Sequence, residues 1–429
     1  MKRWLTLLMI MLLLTACGAV ETPTKSATGA GELVRASVAH DESPEVNLAT
    51  VGDLAQGNNR FAFDLYHQVA GQSSENLIYS PYSISLAFSM VYAGARGATA
   101  EQMAEVFHYL PQENQHLAFN ALDRQIAAAG EAGFLPEGGE PFQLNVANAV
   151  WAQYGYPFRD TYLELLAQQY GAGVRTVDFA EDLDVALEAI NEWTYDATEG
   201  RIEKLAPPLS VTPLTRLVLA NAIYFKASWL FAFDETSTAE GAFTLLDGSS
   251  VTVPLMHQAA ARIPYAEGDA YQAVRLPYAG GTVDMLVILP AEGEFEVVEA
   301  QMGDELLQAV QDRAEVRDVD LTLPRFEFDT TLQLVELLQS LGLTSPFGSE
   351  ADFSGMTESD SLFIADAVHK GTITVDEEGT EAAAVTGVAM EESEYPRAKV
   401  SVTHPFLFAI IERESGTILF LGRVLNPAT

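Results

Sequence analysis

The chain has 429 residues, of which 60 are acidic and 23 basic, and its formal net charge is −37. So large an excess of negative charge argues against binding to the phosphate backbone of nucleic acids. Hydrophobic residues make up 48% of the sequence and aromatic residues 10%. This composition is ample for a large core and excludes a chain that is disordered as a whole.

The N-terminus carries an export signal. A short basic start precedes an apolar run at residues 4–14, which is too short to span a bilayer, and small residues then lead to Cys17. The Leu-Thr-Ala-Cys ending resembles a bacterial lipoprotein signal, which implies removal of residues 1–16 and lipidation of the Cys17 thiol. We therefore expect an exported protein, lipid-anchored at the cell envelope or surface. An ordinary secretory signal with an incidental cysteine is the alternative. Because Cys17 is the only cysteine, no internal disulfide forms.

Residues 17–55 are rich in small and polar residues and show no sustained hydrophobic period. This pattern predicts a flexible tether. Residues 56–427 contain no internal repeat and no linker-like stretch, which favours one large domain.

Helical patterns dominate the first half of this domain. Apolar residues recur at helical spacing in residues 58–69, and Ser80 before Pro81 predicts the capped start of a second helix. A capping-box spacing at residues 99–102 predicts the start of a third helix. A strand at residues 144–151 and helices at 158–170 and 185–198 follow.

Strands dominate from residue 214 onward, and one further helix is predicted at residues 332–341. The predicted strands are 217–225, 243–245, 251–254, 273–277, 283–289, 319–328, 362–375, 400–411 and 417–424. Helices followed by strands indicate an α+β fold with large mixed sheets.

The segment after the strand at 362–375 has an unusual composition. Glu377, Glu378 and Gly379 interrupt the strand, and the glycine permits a backbone turn. Read with period two, the segment then has an uncharged face of small residues that includes Thr380, Ala382, Ala384 and Thr386, opposite Glu381, Ala383 and Val385. The pattern predicts an exposed loop that is able to become a buried strand. A flexible surface linker is the alternative.

Searches for catalytic motifs give no support for an enzyme. The sequence has no G-x-S-x-G, H-E-x-x-H, P-loop or G-x-G-x-x-G pattern, and no thiol besides Cys17. None of the seven histidines is paired at metal-ligand spacing, so we expect neither a metal nor a cofactor. His369 lies inside an apolar strand, where a hydrogen-bonded core residue is favoured over a general base.

Several separated segments resemble one family, the serpins. They are residues 76–85 with 94–97, residues 219–229, residues 367–370 with 377–384, and residues 404–408 with 422–424. Thr403 departs from the Asn or Asp that is usual in the family at that position. The resemblance implies a single large α+β domain, with helices around a large central mixed sheet plus smaller sheets and an exposed reactive-centre loop at about residues 377–396. It also implies a monomeric suicide inhibitor that traps serine proteases covalently when the cut loop inserts into the central sheet. A non-inhibitory serpin acting as a binding surface is the alternative.

The resemblance also implies roles for individual residues. Ser80, Ser83, Asn221 and His369 would form a buried polar cluster where the strands of the main sheet part, and Trp229 would lie near the top of that sheet, where insertion begins. The hinge of the loop would comprise Glu377, Gly379, Thr380, Glu381, Ala382, Ala383 and Ala384.

Counting along the loop leaves the reactive bond open between Ser393–Glu394 and Glu394–Tyr395, with Met390–Glu391 a poorer third. A serine before the bond suits elastase-like or subtilisin-like proteases, whereas a glutamate suits a glutamate-specific one. No Lys or Arg occurs in residues 375–396, which excludes trypsin-like targets. Cysteine proteases stay open as targets because they also form acyl-enzymes. So acidic a chain argues against a heparin cofactor.

Overall fold

The computed structural model describes residues 31–131, 134–135, 142–205, 211–359, 362–380 and 395–428. Several residues singled out above lie outside these ranges: Cys17, Glu381, Ala382, Ala383, Ala384, Ser393 and Glu394. Within the described ranges, no helix combines the length and the apolar character needed to cross a membrane.

Helices fill most of the first half of the described chain. Their bounds are α1 Leu48–Ala70, α2 Pro81–Tyr92, α3 Gly97–Phe107, α4 Gln112–Glu131, α5 Asp160–Tyr170, α6 Leu183–Ala197, α7 Phe295–Glu299, α8 Asp304–Arg313 and α9 Leu334–Ser340, with short 3-10 turns at Glu235–Ser237 and Ser345–Phe347. Ser80 caps α2 as predicted, since its side chain accepts a hydrogen bond from the Ser83 amide at 3.1 Å. The predicted start of α3 is wrong. The helix begins at Gly97, and the Thr99 hydroxyl accepts instead from the Asp352 amide of a distant loop at 2.9 Å.

The central sheet is mixed, with parallel and antiparallel neighbours. Its strands, in spatial order, are β1 Glu32–Val34, β4 Val174–Val177, β3 Gln143–Gln153, β5 Leu217–Ser228, β12 Asp366–Val375 and β11 Phe326–Gln333, and β13 Gly379–Thr380 pairs with the end of β5. The predicted strand at 319–328 is in fact two strands, because the chain leaves one sheet and enters the other at Arg325.

The second sheet is also mixed and mostly antiparallel. In spatial order it contains β14 Arg397–Ser401, β10 Glu315–Pro324, β7 Ser250–Glu267, β8 Tyr271–Pro277, β9 Val283–Pro290, β15 Phe406–Glu412, β16 Ile418–Val424 and β2 Leu77–Tyr79, with β6 Ala239–Thr244 paired to β7. The predicted strand at 400–411 is divided between β14 and β15, with His404 and Pro405 in the break. With its helices and large mixed sheets, the molecule has the predicted α+β architecture in a single domain.

Helix α2 lies in the core between the two sheets. Every residue of α2 is buried, and the helix contacts β3 and β5 of the central sheet as well as β16 of the second sheet. A helix that is buried on all sides, with only short serines among its apolar residues, is stable in such an interior position. Its N-terminus is thereby fixed beneath the middle of the central sheet.

The folded body includes more of the N-terminal region than the sequence predicts. Residues 31–47, which we call the N-terminal strap, lie on the folded body rather than in a flexible tether, and α1 already begins at Leu48. Strand β1 pairs with β4, the Asp41 amide donates to the Gln168 carbonyl at 2.8 Å, and Asn120 donates to the Asp41 carbonyl at 2.9 Å. The prediction failed because three residues of strand are too short to produce a recognisable period.

We expect the strap to contribute measurably to stability. A truncated protein that starts at residue 46 loses these hydrogen bonds, each of which contributes roughly 0.5–1.5 kcal/mol. Its free energy of unfolding in urea should fall by about 2–4 kcal/mol relative to a truncation at residue 31. Equal unfolding midpoints for the two truncations would show that the strap is not bound in solution.

Candidate functional site

Two neighbouring strands in the middle of the central sheet run parallel over only part of their lengths. Strand β12 pairs with β5 from Asp366 opposite Val218 to Gly371 opposite Ile223. Beyond these positions β12 continues on β11, and β5 continues on β3. The boundary between β5 and β12 is therefore held together along one half, and the two strands separate towards the end at which β5 finishes.

A row of polar side chains crosses this boundary in its paired half. Asn148 of β3 lies opposite Asn221 of β5, which lies opposite His369 of β12. The Asn221 amide donates to the Asn148 side-chain oxygen and to both the carbonyl and the hydroxyl oxygen of Ser83, at 2.9 and 2.6 Å for the latter two. The side-chain oxygen of Asn221 is hydrogen-bonded to Nδ1 of His369.

His369 links this row to the start of α2. The Ser80 amide donates to Nε2 of His369 at 3.1 Å, so Nε2 is an acceptor and Nδ1 carries the proton that is donated to Asn221. Both Ser80 and His369 are completely buried. Burial lowers the pKa of His369 to about 3, and the ring is therefore neutral at physiological pH. We call Ser80, Ser83, Asn148, Asn221 and His369 the polar cluster.

At the far end of the boundary, the chain turns after β12 and returns towards β5. The Asp376 carboxylate accepts from the amides of Glu378 and Gly379 at 3.0 and 3.1 Å, which closes a tight turn. Gly379 has φ +157°, and a Cβ at this position would lie only 2.1 Å from the Ala227 carbonyl oxygen. Glycine is therefore required for the turn to lie so close to β5.

Trp229 fixes this turn to the end of β5. Its indole Nε1 donates to the Asp376 carbonyl at 3.0 Å, and its backbone amide donates to the Glu378 carbonyl at 2.8 Å. The Trp229 ring stacks on Tyr278 with centroids 4.5 Å apart. The Tyr278 hydroxyl in turn is hydrogen-bonded to that of Thr380 at 2.9 Å.

Glu377 is held by a separate set of contacts. Its carboxylate forms an ion pair with Arg325 and accepts from the Thr238 hydroxyl at 2.6 Å, and its side chain is 3% exposed. Burial raises the pKa of Glu377, but the hydrogen bonds from Thr238 and Arg325 lower it by more, so the pKa lies below its ordinary value. The carboxylate is therefore ionised at neutral pH and ties the turn to the start of β11.

The first hinge residues already form a strand in the gap. Gly379 and Thr380 pair antiparallel with Ser228 and Ala227, and Thr380 is 1% exposed. An antiparallel direction is the one that the following loop would need to lie between β5 and β12. Thr380, on the face that the sequence marks as insertable, thus occupies the position where such a strand would start.

The structure therefore brings together the described members of the predicted cluster, Ser80, Ser83, Asn221 and His369, and places Trp229 against the hinge. Sequence reasoning missed Asn148, Arg325, Thr238 and Tyr278. One signal for Asn148 was available: Ala147-Asn148-Ala149 repeats Ala220-Asn221-Ala222, and a lone amide among small apolar residues in a buried strand needs a polar partner. Arg325, Thr238 and Tyr278 are distant in sequence from the hinge and carry no such signal.

Three comparisons agree with this architecture. A family model described as "Serpin (serine protease inhibitor)" matches residues 56–427. An uncharacterized serpin-like protein of Thermococcus kodakarensis is 41% identical over 377 residues, covering 86% of this chain and 84% of the relative. The leukocyte elastase inhibitor of Sus scrofa is 36% identical over 385 residues, covering 87% of this chain and 99% of the inhibitor.

Solved structures show the same fold. Uncleaved ovalbumin superposes with a TM-score of 0.78 at 29% identity, covering 87% of this chain and all of that one. Human thyroxine-binding globulin complexed with thyroxine also gives a TM-score of 0.78 at 29% identity, covering 88% of this chain and 99% of the other. The fold and the site together define one class of protein. It is a single α+β domain in which the first residues of a loop pair with a central strand, at the point where two strands of the central sheet separate. The chain belongs to the serpin family.

The buried histidines make stability depend on pH. The unfolded chain takes up a proton on His369 as the pH falls below about 6.5, whereas the folded protein resists until about pH 3. His116, whose pKa burial and then the charge of Arg96 lower to about 4, acts in the same direction. Each histidine should therefore lower the unfolding free energy by up to about 1.4 kcal/mol per pH unit below pH 6.5.

Urea unfolding of wild-type, His369→Gln and His116→Gln proteins between pH 6.5 and 5 measures these contributions. We expect each substitution to reduce the slope of unfolding free energy against pH in this range by up to about 1.4 kcal/mol per pH unit. A slope that neither substitution changes would contradict the buried, neutral state of these rings.

Proposed function

We propose that this protein is a suicide inhibitor of serine endopeptidases that acts by cleavage of its reactive-centre loop and insertion of the cut loop into the central sheet. The observation that carries the proposal is the antiparallel pairing of Gly379 and Thr380 with the end of β5, at the point where β5 and β12 separate. The first two residues of this segment are thus already aligned in the direction of insertion before any protease has acted. Family membership and the similarity to leukocyte elastase inhibitors support the same function.

Insertion is favourable because β5 and β12 pair with each other over only part of their lengths. A strand placed between β5 and β12 would complete backbone ladders on both of its sides and would bury the small side chains of its inner face at roughly 25 cal/mol per Å² of apolar area. The cost is the opening of six residue pairs between β5 and β12, together with the hydrogen bond between Asn221 and His369. The uncut form is therefore a metastable state, kept by a kinetic barrier that cleavage of the loop removes.

The hinge sequence supports inhibition over the non-inhibitory alternative. If side chains alternate between the two faces of an inserted strand from the buried Thr380 onward, then Ala382, Ala384 and Thr386 lie on the inner face. None of these residues is bulky, charged or a proline. The target would be a serine protease of elastase-like, subtilisin-like or glutamate-specific type, since the loop contains no basic residue. In this role the protein is consumed with its target and is not a catalyst.

Formation of a covalent complex with a protease distinguishes a suicide inhibitor from a non-inhibitory binding protein. The full-length protein is mixed with elastase, subtilisin, a glutamate-specific protease and trypsin, and the products are separated in denaturing detergent. We expect a detergent-stable band at the summed mass with at least one of the first three enzymes and none with trypsin. Cleavage without such a band, at several ratios of protein to protease, would favour a non-inhibitory binding function.

Matched hinge variants test whether the complex depends on insertion. Thr380→Arg places a charge on the inner face, and Ala382→Pro removes a ladder donor, so each should convert inhibitor into substrate, with at least tenfold more cleaved protein per complex. Ala383→Arg introduces the same charge on the outer face and should leave the yield of complex near that of the wild type. Equal yields for Thr380→Arg and Ala383→Arg would refute insertion of the hinge.

We also propose that the protein is lipid-anchored through Cys17 at the envelope or surface of a bacterial cell, where it would meet extracellular proteases. The basis is the sequence of residues 1–17. Labelling of expressing cells with a radioactive fatty acid should mark the wild-type protein and not a Cys17→Ala variant. Equal labelling of the two proteins, or labelling of neither, would refute the anchor.

A further inference from the structure

The carboxyl-terminal base of the loop is held on the second sheet by an ordered set of side chains. In the register of β7, β10 and β14, Arg262 lies opposite Asp318, and Asp318 lies opposite Arg397. Residues opposite each other on neighbouring strands project from the same face, so the three side chains form a row across the sheet. Arg397, at one end of this row, lies two residues after Tyr395, the first described residue after the loop.

Tyr395 is fixed by its side chain and by the residue that follows it. The Arg262 guanidinium lies over the Tyr395 ring, 4.7 Å from its centroid. The Nε atom of Arg262 is 3.6 Å from the Asp318 carboxylate, which is 2% exposed, and the Asp318 amide donates to the Pro396 carbonyl at 3.1 Å. Arg262 thus contacts both the tyrosine ring and a buried carboxylate that is itself attached to the chain next to Tyr395.

These contacts of Tyr395 oppose cleavage of Glu394–Tyr395 more than cleavage of Ser393–Glu394. A protease holds the residues on both sides of the bond extended in its cleft, and the side chain directly after the bond enters a pocket of the enzyme. Cleavage of Glu394–Tyr395 would require the Tyr395 ring to leave Arg262, and it would put Pro396 and Arg397, which are engaged with β10, into the cleft. Cleavage of Ser393–Glu394 leaves one additional residue between the bond and the clamped tyrosine.

We infer that Arg262 is a positioning residue that clamps Tyr395 on the body, so that the bond offered to the target protease is Ser393–Glu394. The inference rests on the proposed function and deepens it, because a serine before the bond selects elastase-like and subtilisin-like enzymes over glutamate-specific ones. The basic side chain that determines this choice lies on β7, 133 residues before the tyrosine that it holds.

A glutamate-specific protease tests the inference directly. It accepts Glu391, Glu392 and Glu394 by side chain, so the attachment of Tyr395 and of the residues after it to the body should distinguish Glu394 from the other two, and a variant of Arg262 measures the share of the clamp. The full-length protein is digested briefly, denatured, and the C-terminal fragments are weighed by mass spectrometry. For the wild type we expect fragments that begin at residues 392 or 393, with the fragment that begins at Tyr395 minor. With elastase, the wild-type fragment should begin at Glu394.

Variants separate the clamp from general effects of charge. Arg262→Ala should raise the initial rate of cleavage after Glu394 by about two- to fivefold, the size expected for loss of one exposed cation–π contact. Arg262→Lys keeps a cation over the ring and should preserve most of the wild-type pattern. Lys399→Ala, which removes one positive charge from the exposed face of β14, should leave the pattern unchanged.

Two results would overturn the inference: a main wild-type product that begins at Tyr395 with either enzyme, or a fragment pattern that Arg262→Ala leaves unchanged. The fragment masses report the cleaved bond whether or not a covalent complex survives. If the loop is cut at Ser393–Glu394 without complex formation, the inhibitory function fails while the clamp stands. If a complex forms through Glu394, the clamp fails while the inhibitory function stands.

Discussion

The contact on which the rest of the structure depends is the hydrogen bond between Asn221 and His369. It joins β5 to β12 through their side chains, and it is buried, so neither partner can exchange the other for water without a cost of about 1–3 kcal/mol. Through Ser80 and Ser83 the same bond fixes the N-terminus of α2, the helix that fills the space between the two sheets. The middle of the sheet is thereby closed by polar groups of definite geometry, which favour one arrangement, rather than by apolar packing, which tolerates sliding.

The two ends of the boundary between β5 and β12 are held by different chemistry. At the polar cluster the interactions are neutral and buried. At the hinge, Glu377 is held by Arg325, which is half exposed, and by the Thr238 hydroxyl. An ion pair with one exposed partner is weaker and more easily replaced by water than a buried network. Under the proposed mechanism the boundary should therefore open first at the hinge end, which is also the end where Gly379 and Thr380 already lie against β5.

Sequence reasoning recovered what local patterns encode. The alternation after Gly379, the cap at Ser80 and the succession of helices and strands are properties of short windows, and the structure has Thr380 buried, Ser80 capping α2 and large mixed sheets. Contacts between distant segments leave no local trace. Arg325 and Glu377 are separated by 52 residues, and nothing in the neighbourhood of either predicts the pair. The N-terminal strap was missed for a related reason, since its three-residue strand is stabilised by its partner β4 rather than by its own sequence.

The strap also changes what the central sheet presents to other molecules. Without it, the outer side of β4 would be an open row of amides and carbonyls, which is a template for pairing with a strand from another chain. Strand β1 covers that row, and the new margin is only three residues long and begins with the charged Glu32. Under the proposed mechanism the sheet accepts a strand in its centre, and the strap opposes pairing with another chain at its margin. Self-association of the sheet is thus opposed without any stiffening of the boundary between β5 and β12.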